Sequence, residues 1–272
     1  MKFWKYQGAG NDFIILDQRE NRRLTREDTG KIARLCDRRF GIGADGLILL
    51  ELRQGFDFEM IYFNADGNES SMCGNGGRCI AAFARHLGII HGHGRFWAID
   101  GEHEAVIMTK PDATDAEKDL WVELKMSDVK NIKQEENVFI LNTGSPHYVR
   151  FEKEVEQLDM VQEGRSVRYS DRFKKDGINV NLVRVNSDES LDIRTYERGV
   201  EDETLACGTG VTAAAIASCT YRARNSGHVS IPVHAKGGDL AVRFQANADG
   251  SFSDIWLCGP AVQVFEGEIQ IP

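Results

Sequence analysis

Met72-Cys73-Gly74-Asn75-Gly76-Gly77-Arg78-Cys79-Ile80-Ala81-Ala82-Phe83-Ala84-Arg85-His86-Leu87-Gly88 and Ala206-Cys207-Gly208-Thr209-Gly210-Val211-Thr212-Ala213-Ala214-Ala215-Ile216-Ala217-Ser218-Cys219 each read as Cys-Gly-x-Gly running into an Ala-rich helix. Both helices are apolar nearly all round rather than along one stripe, which predicts that each is enclosed by other structure. The two motif cysteines stand 134 residues apart (207 − 73), about half the chain, so the simplest account is an internal duplication.

Working outward, the enclosing structure must be strands. Phe3 to Tyr6, Asp12 to Leu16, Leu47 to Leu52 and the alternating Phe56, Phe58, Met60 and Tyr62 fit half-buried strands with period two. Val106 to Thr109, Trp121 to Met126, Val138 to Leu141, Ile178 to Val185, Leu191 to Tyr196, Val229 to Val233, Leu240 to Phe244 and Ala261 to Phe265 have similar composition. A peripheral amphipathic helix is expected after Thr25, where Thr25 and Asp28 imitate a capping box, and runs to about Cys36. The fold class is therefore α+β, with two pseudo-symmetric domains, each a barrel-like sheet wrapped round a central buried helix. The boundary is expected in the polar stretch Pro111 to Asp119. It gives domains 1–116, carrying Cys73, and 117–262, carrying Cys207, with the terminal strand 263–272 returning to complete the first.

With 33 Lys plus Arg against 42 Asp plus Glu, the formal net charge is −9, which disfavours nucleic acid or an anionic membrane surface as a partner. No apolar stretch approaches a spanning helix and the first residues lack the apolar run of a signal peptide, so a cytoplasmic protein is expected. The six cysteines form no C-x-x-C pair and are expected as thiols. Cys36, Cys79, Cys219 and Cys258 read as small packing residues. No metal centre is expected, since His91 and His93 flank Gly92 in what reads as a surface loop.

A glycine-rich turn feeding a buried helix leaves the first backbone N–H groups pointing outward with a partial positive charge behind them. Such a place receives a carboxylate and stabilises a thiolate, whose pKa falls from about 8.5 to roughly 3.5–7.5 in such settings. One motif suggests a nucleophile. Two suggest stereochemical inversion, one thiolate removing a proton from a carbon while the other thiol delivers one to the opposite face. Helix starts aimed at the substrate carboxylate stabilise the charge that develops on deprotonation. No Schiff base is needed and no lysine stands in a setting that argues for pyridoxal phosphate, so no cofactor is expected.

The segments Gly8-Ala9-Gly10-Asn11-Asp12-Phe13, Asn64-Ala65-Asp66-Gly67, Cys73-Gly74-Asn75-Gly76, Tyr196-Glu197-Arg198-Gly199 and Glu203-Thr204-Leu205-Ala206-Cys207-Gly208-Thr209-Gly210 resemble those of the diaminopimelate epimerase family, in family order and over nearly the whole chain. The resemblance implies a cytoplasmic, cofactor-independent homodimer that interconverts LL- and meso-diaminopimelate in lysine and peptidoglycan-precursor biosynthesis. It implies Cys73 and Cys207 as the acid/base thiols, with His147 and Glu197 tuning them. Gly74, Asn75, Gly208 and Thr209 would offer backbone N–H groups to the reacting carboxylate, while Asn11, Asn64, Asn179, Glu197 and Arg198 would hold the amino groups and the distal carboxylate. An Arg fork suits a carboxylate and an anionic Glu suits an ammonium. Two positions depart from some members: Ser145 stands in place of Asn, and Gly46 in place of Gln. A proline or hydroxyproline racemase-like isomerase on the same architecture is the nearest alternative, and a thiol redox protein joining Cys73 to Cys207 is the alternative from another class.

Overall fold

The computed structural model describes residues 1–70, 72–109, 119–223 and 226–270, so most of the polar boundary stretch lies outside the described residues. The chain divides into two compact units, one formed by Met1–Leu124 with Gly259–Pro272 and the other by Lys125–Cys258.

The first unit contains β1 (Lys2–Gly8), β2 (Asn11–Asp17), α1 (Thr29–Cys36), β3 (Gly46–Glu51), β4 (Phe58–Asn64), α2 (Gly74–His86), β5 (His93–Ala98), β6 (Gly101–Thr109) and β7 (Asp119–Lys125). The second contains β8 (Lys133–Glu135), β9 (Val138–Asn142), β10 (Pro146–Phe151), α3 (Met160–Arg168), β11 (Asn179–Val185), β12 (Leu191–Glu197), β13 (Asp202–Thr204), α4 (Gly208–Tyr221), β14 (Gly227–Ala235), β15 (Gly238–Ala246) and the opening part of β16 (Phe252–Glu268).

In the first unit β1 to β7 pair in sequence order, and the last part of β16 pairs with both β7 and β1, which closes an eight-stranded barrel. Closure removes the exposed edges that a sheet would otherwise present. Helix α2 fills the barrel. A side chain at Gly76 would meet Ile48 and Met60 at 3.3 Å, and one at Gly77 would meet Leu124 at 3.0 Å, so the helix approaches the strands closely enough that an added Cβ would have to push these side chains aside. Phe83 packs on Trp4 with ring centroids 4.8 Å apart.

The second unit repeats the pattern. From β1 to β7 the successive pairings run antiparallel, parallel, antiparallel, parallel, antiparallel, antiparallel, and the order β9-β10-β11-β12-β14-β15-β16 runs identically. Within each copy the buried helix follows the fourth of these strands, and a peripheral helix, α1 or α3, crosses between the second and third. Parallel neighbours require such a crossover. Helix α4 is buried from Val211 through Cys219 and packs on β9, β10, β11, β12, β14 and β15.

Several local expectations shift. Helix α1 begins at Thr29, one turn later than expected, because Thr25 donates both its N–H and its hydroxyl to Asp28 and the pair makes a turn ahead of the helix. The alternation around Phe56 starts its strand at Phe58, and Met60 through Phe63 are all buried because the helix covers one face of β4 and α1 the other. His93 opens β5 rather than lying in a loop, and meets Glu104 on β6 at 2.8 Å.

Candidate active site

In the first unit Cys73 is the N-cap of α2, in extended conformation, and its side chain makes no capping hydrogen bond to that helix start. Its sulfur lies 3.7 Å from Asn11 Oδ1, and Asn75 Nδ2 donates to the same oxygen at 3.3 Å. Asn11 can turn its carbonyl to both because its amide donates to Asp45 on the other side. Asp45 in turn takes Arg38 at 2.8 Å, and Arg38 also grips Asp12 at 2.6 and 2.9 Å. Lys5, almost wholly buried, completes the group by pairing with Asp12 at 2.8 Å. Burial works against a charged Asp12, but the hydrogen bonds from Arg38 and Lys5 outweigh it and hold this carboxyl well below the ordinary range. Below the helix start, the fully buried Arg78 donates to Asn75 Oδ1 at 2.9 Å and to the Pro260 carbonyl at 3.4 Å. Asn64, exposed at the end of β4, belongs to the same barrel end as Asn11 through the register Phe13↔Gly46↔Asn64.

In the second unit Cys207 is the N-cap of α4, again extended and again without a side-chain cap. Thr209, in the first helical turn, has its hydroxyl 3.5 Å from Cys207 Sγ and 2.9 Å from His147 Nε2, and its carbonyl accepts from Thr143 at 2.7 Å. Burial raises the Glu197 carboxyl above the ordinary value, and the neighbouring Thr204 and Cys207 side chains only partly draw it back. His147 is fully enclosed; burial, with the positive charge of Arg198 adding to it, drops its pKa to about 3, so the ring is neutral at physiological pH. Asn179 donates to Ser145 at 2.9 Å and accepts from the Arg198 backbone at 2.8 Å, while the Arg198 guanidinium donates to Asp176 O at 2.8 Å and Ser145 Oγ at 3.4 Å.

A family model described as diaminopimelate epimerase matches residues 3–95 and 139–262. The chain belongs to the diaminopimelate epimerase family. It is therefore an enzyme of the isomerase class. The diaminopimelate epimerase of Flavobacterium psychrophilum is 50% identical over 270 residues, covering 99% of this chain and 100% of its own. That of Chlorobaculum tepidum is 42% identical, covering 97% and 99%. Among solved structures, a phenazine biosynthesis protein of the PhzF family from Bacillus anthracis superposes with a TM-score of 0.76 at 16% identity, covering 100% of this chain and 99% of that one. A hydroxyproline epimerase from Agrobacterium vitis, with bound trans-4-hydroxy-L-proline, gives 0.68 at 14% identity, covering 98% and 91%. Likeness at such low identity speaks for the fold alone.

Within the family pattern, two groupings emerge, each inside one unit. Asn11, Asn75 and Cys73 come together in the first; Asn179 with Arg198, and Cys207 with Thr209, His147 and Glu197, come together in the second. The departures have local reasons. Ser145 receives both Asn179 and Arg198, so its hydroxyl joins two of the side chains expected to hold the amino groups and the distal carboxylate. A side chain at Gly46 would meet the Tyr62 ring at 2.5 Å and the Phe63 carbonyl at 2.6 Å, so here Tyr62 fills the space. Sequence reading missed Asp45, Arg38 and Lys5 behind Asn11, and Asn181 behind His147. Charged residues spread over β1, β2 and a loop give no local pattern, and a polar residue on a strand reads as surface. Among the described residues no group of three or more His, Cys, Asp or Glu side chains is gathered to hold a metal ion.

Proposed function

We propose that this enzyme interconverts LL- and meso-diaminopimelate without a cofactor, Cys73 and Cys207 exchanging the α-proton, and that it serves lysine and peptidoglycan-precursor synthesis as a cytoplasmic homodimer. The observation that carries this reading is that both copies of the repeat put a cysteine at the N-cap of a buried helix with no capping bond from its side chain, the second of them beside Glu197 and Thr209. A carboxyl with a raised pKa is suited to take a proton near neutrality. The Cys207 S–H bond breaks, the proton passes to Glu197, and the electron pair stays on sulfur. The thiolate then removes the α-hydrogen while Cys73 gives its own proton to the opposite face; the reverse reaction exchanges the roles. Backbone N–H groups of Gly74, Asn75, Gly208 and Thr209 stabilise the doubly charged carboxylate. Arg198, Asn179, Asn11 and Asn64 hold the distal groups, with Glu197 at an ammonium.

Incubation with LL-diaminopimelate in D2O tests it: loss of optical rotation with deuterium uptake at the α-carbon is expected, and both should vanish in Cys73→Ser and in Cys207→Ser. Exchange on proline but not on diaminopimelate would replace this reading with a proline racemase-like one. Absence of exchange on either would favour a redox role for the thiols.

A further inference from the structure

Behind Cys207 lies a chain of polar groups that ends at a fully buried amide. Asn181, fully buried on β11, has its Nδ2 3.1 Å from the Tyr148 carbonyl and 3.1 Å from His147 Nδ1, and its Oδ1 3.0 Å from the Thr195 hydroxyl. The orientation of an amide is a matter of its partners, and here one partner decides. A backbone carbonyl only accepts, so the atom facing Tyr148 O must be the NH2 group. Its second hydrogen then points at His147 Nδ1, and the Thr195 hydroxyl donates to Oδ1.

His147 is neutral, so a single ring nitrogen carries hydrogen. Nδ1 faces a donor and must accept, which leaves the hydrogen on Nε2, 2.9 Å from Thr209 Oγ1. With one lone pair of that oxygen occupied, the hydroxyl's own hydrogen is left to point toward Cys207 Sγ at 3.5 Å. We infer that Asn181 is a positioning residue, holding the His147 proton on Nε2 so that the Thr209 hydroxyl donates to the Cys207 sulfur. The inference rests on the acid/base role proposed for Cys207 only for its kinetic consequence. Beside the sulfur stands Glu197 on β12, proposed above to take the thiol proton, and behind Thr209 stands neutral His147 on β10, with the cationic Arg198 acting on that ring. Thr209 therefore contributes a neutral donor that persists in both protonation states of Cys207 and supports the thiolate.

Uniform 15N-histidine labelling of the resting wild-type enzyme, with the His147 signals assigned from a His147→Gln sample, reads the tautomer directly. The Nε2–H form is expected, and the Nδ1–H form or an imidazolium at neutral pH overturns the inference. Asn181→Asp replaces the NH2 by an acceptor. It should shift the proton to Nδ1, turn the Thr209 hydroxyl toward Nε2, slow iodoacetamide alkylation of Cys207 about tenfold and leave Cys73 unchanged, one hydrogen bond to a charged group being of that order. In turnover kcat should fall with KM within about twofold, because Asn181 is fully buried. Since a buried Asp can unfold the protein, Thr209→Val removes the final donor without charge and should slow Cys207 alkylation equally, with Thr209→Ser restoring it. Alkylation of Cys207 at the wild-type rate in folded Thr209→Val overturns the inference. Neither the tautomer nor the alkylation reading uses substrate. If deuterium exchange fails while these hold, the proposed reaction falls and the hydrogen-bonded chain stands.

Discussion

His147 stays uncharged at a cost that appears in acid. Its folded pKa of about 3 lies below the ordinary 6.5, so as pH falls through 6.5 the unfolded chain takes up a proton at this site and the folded chain does not. The contribution is intact above about pH 6.5 and is lost progressively down to about 3, at no more than about 1.4 kcal/mol per pH unit. Urea midpoints should therefore drop less between neutral pH and about pH 4.5 in His147→Gln than in the wild type. Equal drops would mean that the ring is not held neutral. For Arg198 the fork matters, since one nitrogen goes to Asp176 O and another to Ser145. Arg198→Lys keeps the charge but not the planar pair of donors, and KM for diaminopimelate should rise about tenfold or more with a smaller change in kcat. An unchanged KM would move the distal carboxylate elsewhere. At this scale the cysteines were legible because Cys-Gly-x-Gly occurs twice, and the asparagines became legible only through the family resemblance. Asn181 was not legible, because its meaning comes from β10, β12 and α4 meeting around it.

Glycines in helices show how the same substitution changes sign with its surroundings. In α1, Gly30 has nothing within 4 Å of an added Cβ, so Gly30→Ala should stabilise by about 0.5 kcal/mol through helix propensity alone. In α4, an alanine at Gly210 would set its Cβ 2.5 Å from Asn181 Oδ1, which Thr195 holds in place. The propensity gain of up to about 1 kcal/mol is then outweighed by about 1–3 kcal/mol of overpacking. Gly210→Ala should lower the melting temperature and also slow Cys207 alkylation, while Gly30→Ala raises the first and leaves the second alone. A Gly210→Ala enzyme as stable as the wild type would show that Asn181 moves freely. Among elements, the enclosed helices and most strands could be read from composition. Strands β5 and β10 were missed because His93, Gly94 and Pro146 read as turn residues, β8 and β13 because each is three residues long and polar, and α3 because its apolar face is short. The duplication itself pointed to α3, the counterpart of α1, and Asp159 caps it by accepting from Val161 and Gln162 at 3.1 and 3.0 Å.

At the scale of the whole molecule the notable element is β16, whose residues up to Cys258 belong to the second unit and whose residues from Gly259 belong to the first. Sequence reading expected a strand at Ala261 to Phe265 and a terminal strand 263–272 returning to the first domain, but not a single strand over Phe252–Glu268, because one uninterrupted strand serving two units has no internal turn signal to divide it. Its last part pairs with β7 through Gly259↔Val122 and with β1 through Lys2↔Glu268, so it is the closing stave of the first barrel. The Pro260 carbonyl receives buried Arg78, which also steadies Asn75 at the start of α2. Ending the chain at Cys258 would strip β1 and β7 of a neighbour along their lengths, open two unpaired edges and leave the Arg78 guanidinium short of an acceptor, each costly in a buried setting. The first unit should then lose fixed packing while the second, whose own strand pairings all lie within Lys125–Cys258, keeps its sheet. Limited proteolysis of the shortened chain, with fragments identified by mass spectrometry, should release peptides from residues 1–124 early and protect residues 125–258. Activity should be absent, because Cys73 stands at the start of the helix that the missing stave supports. Equal protection of both regions would show that the first barrel holds together without its closing strand.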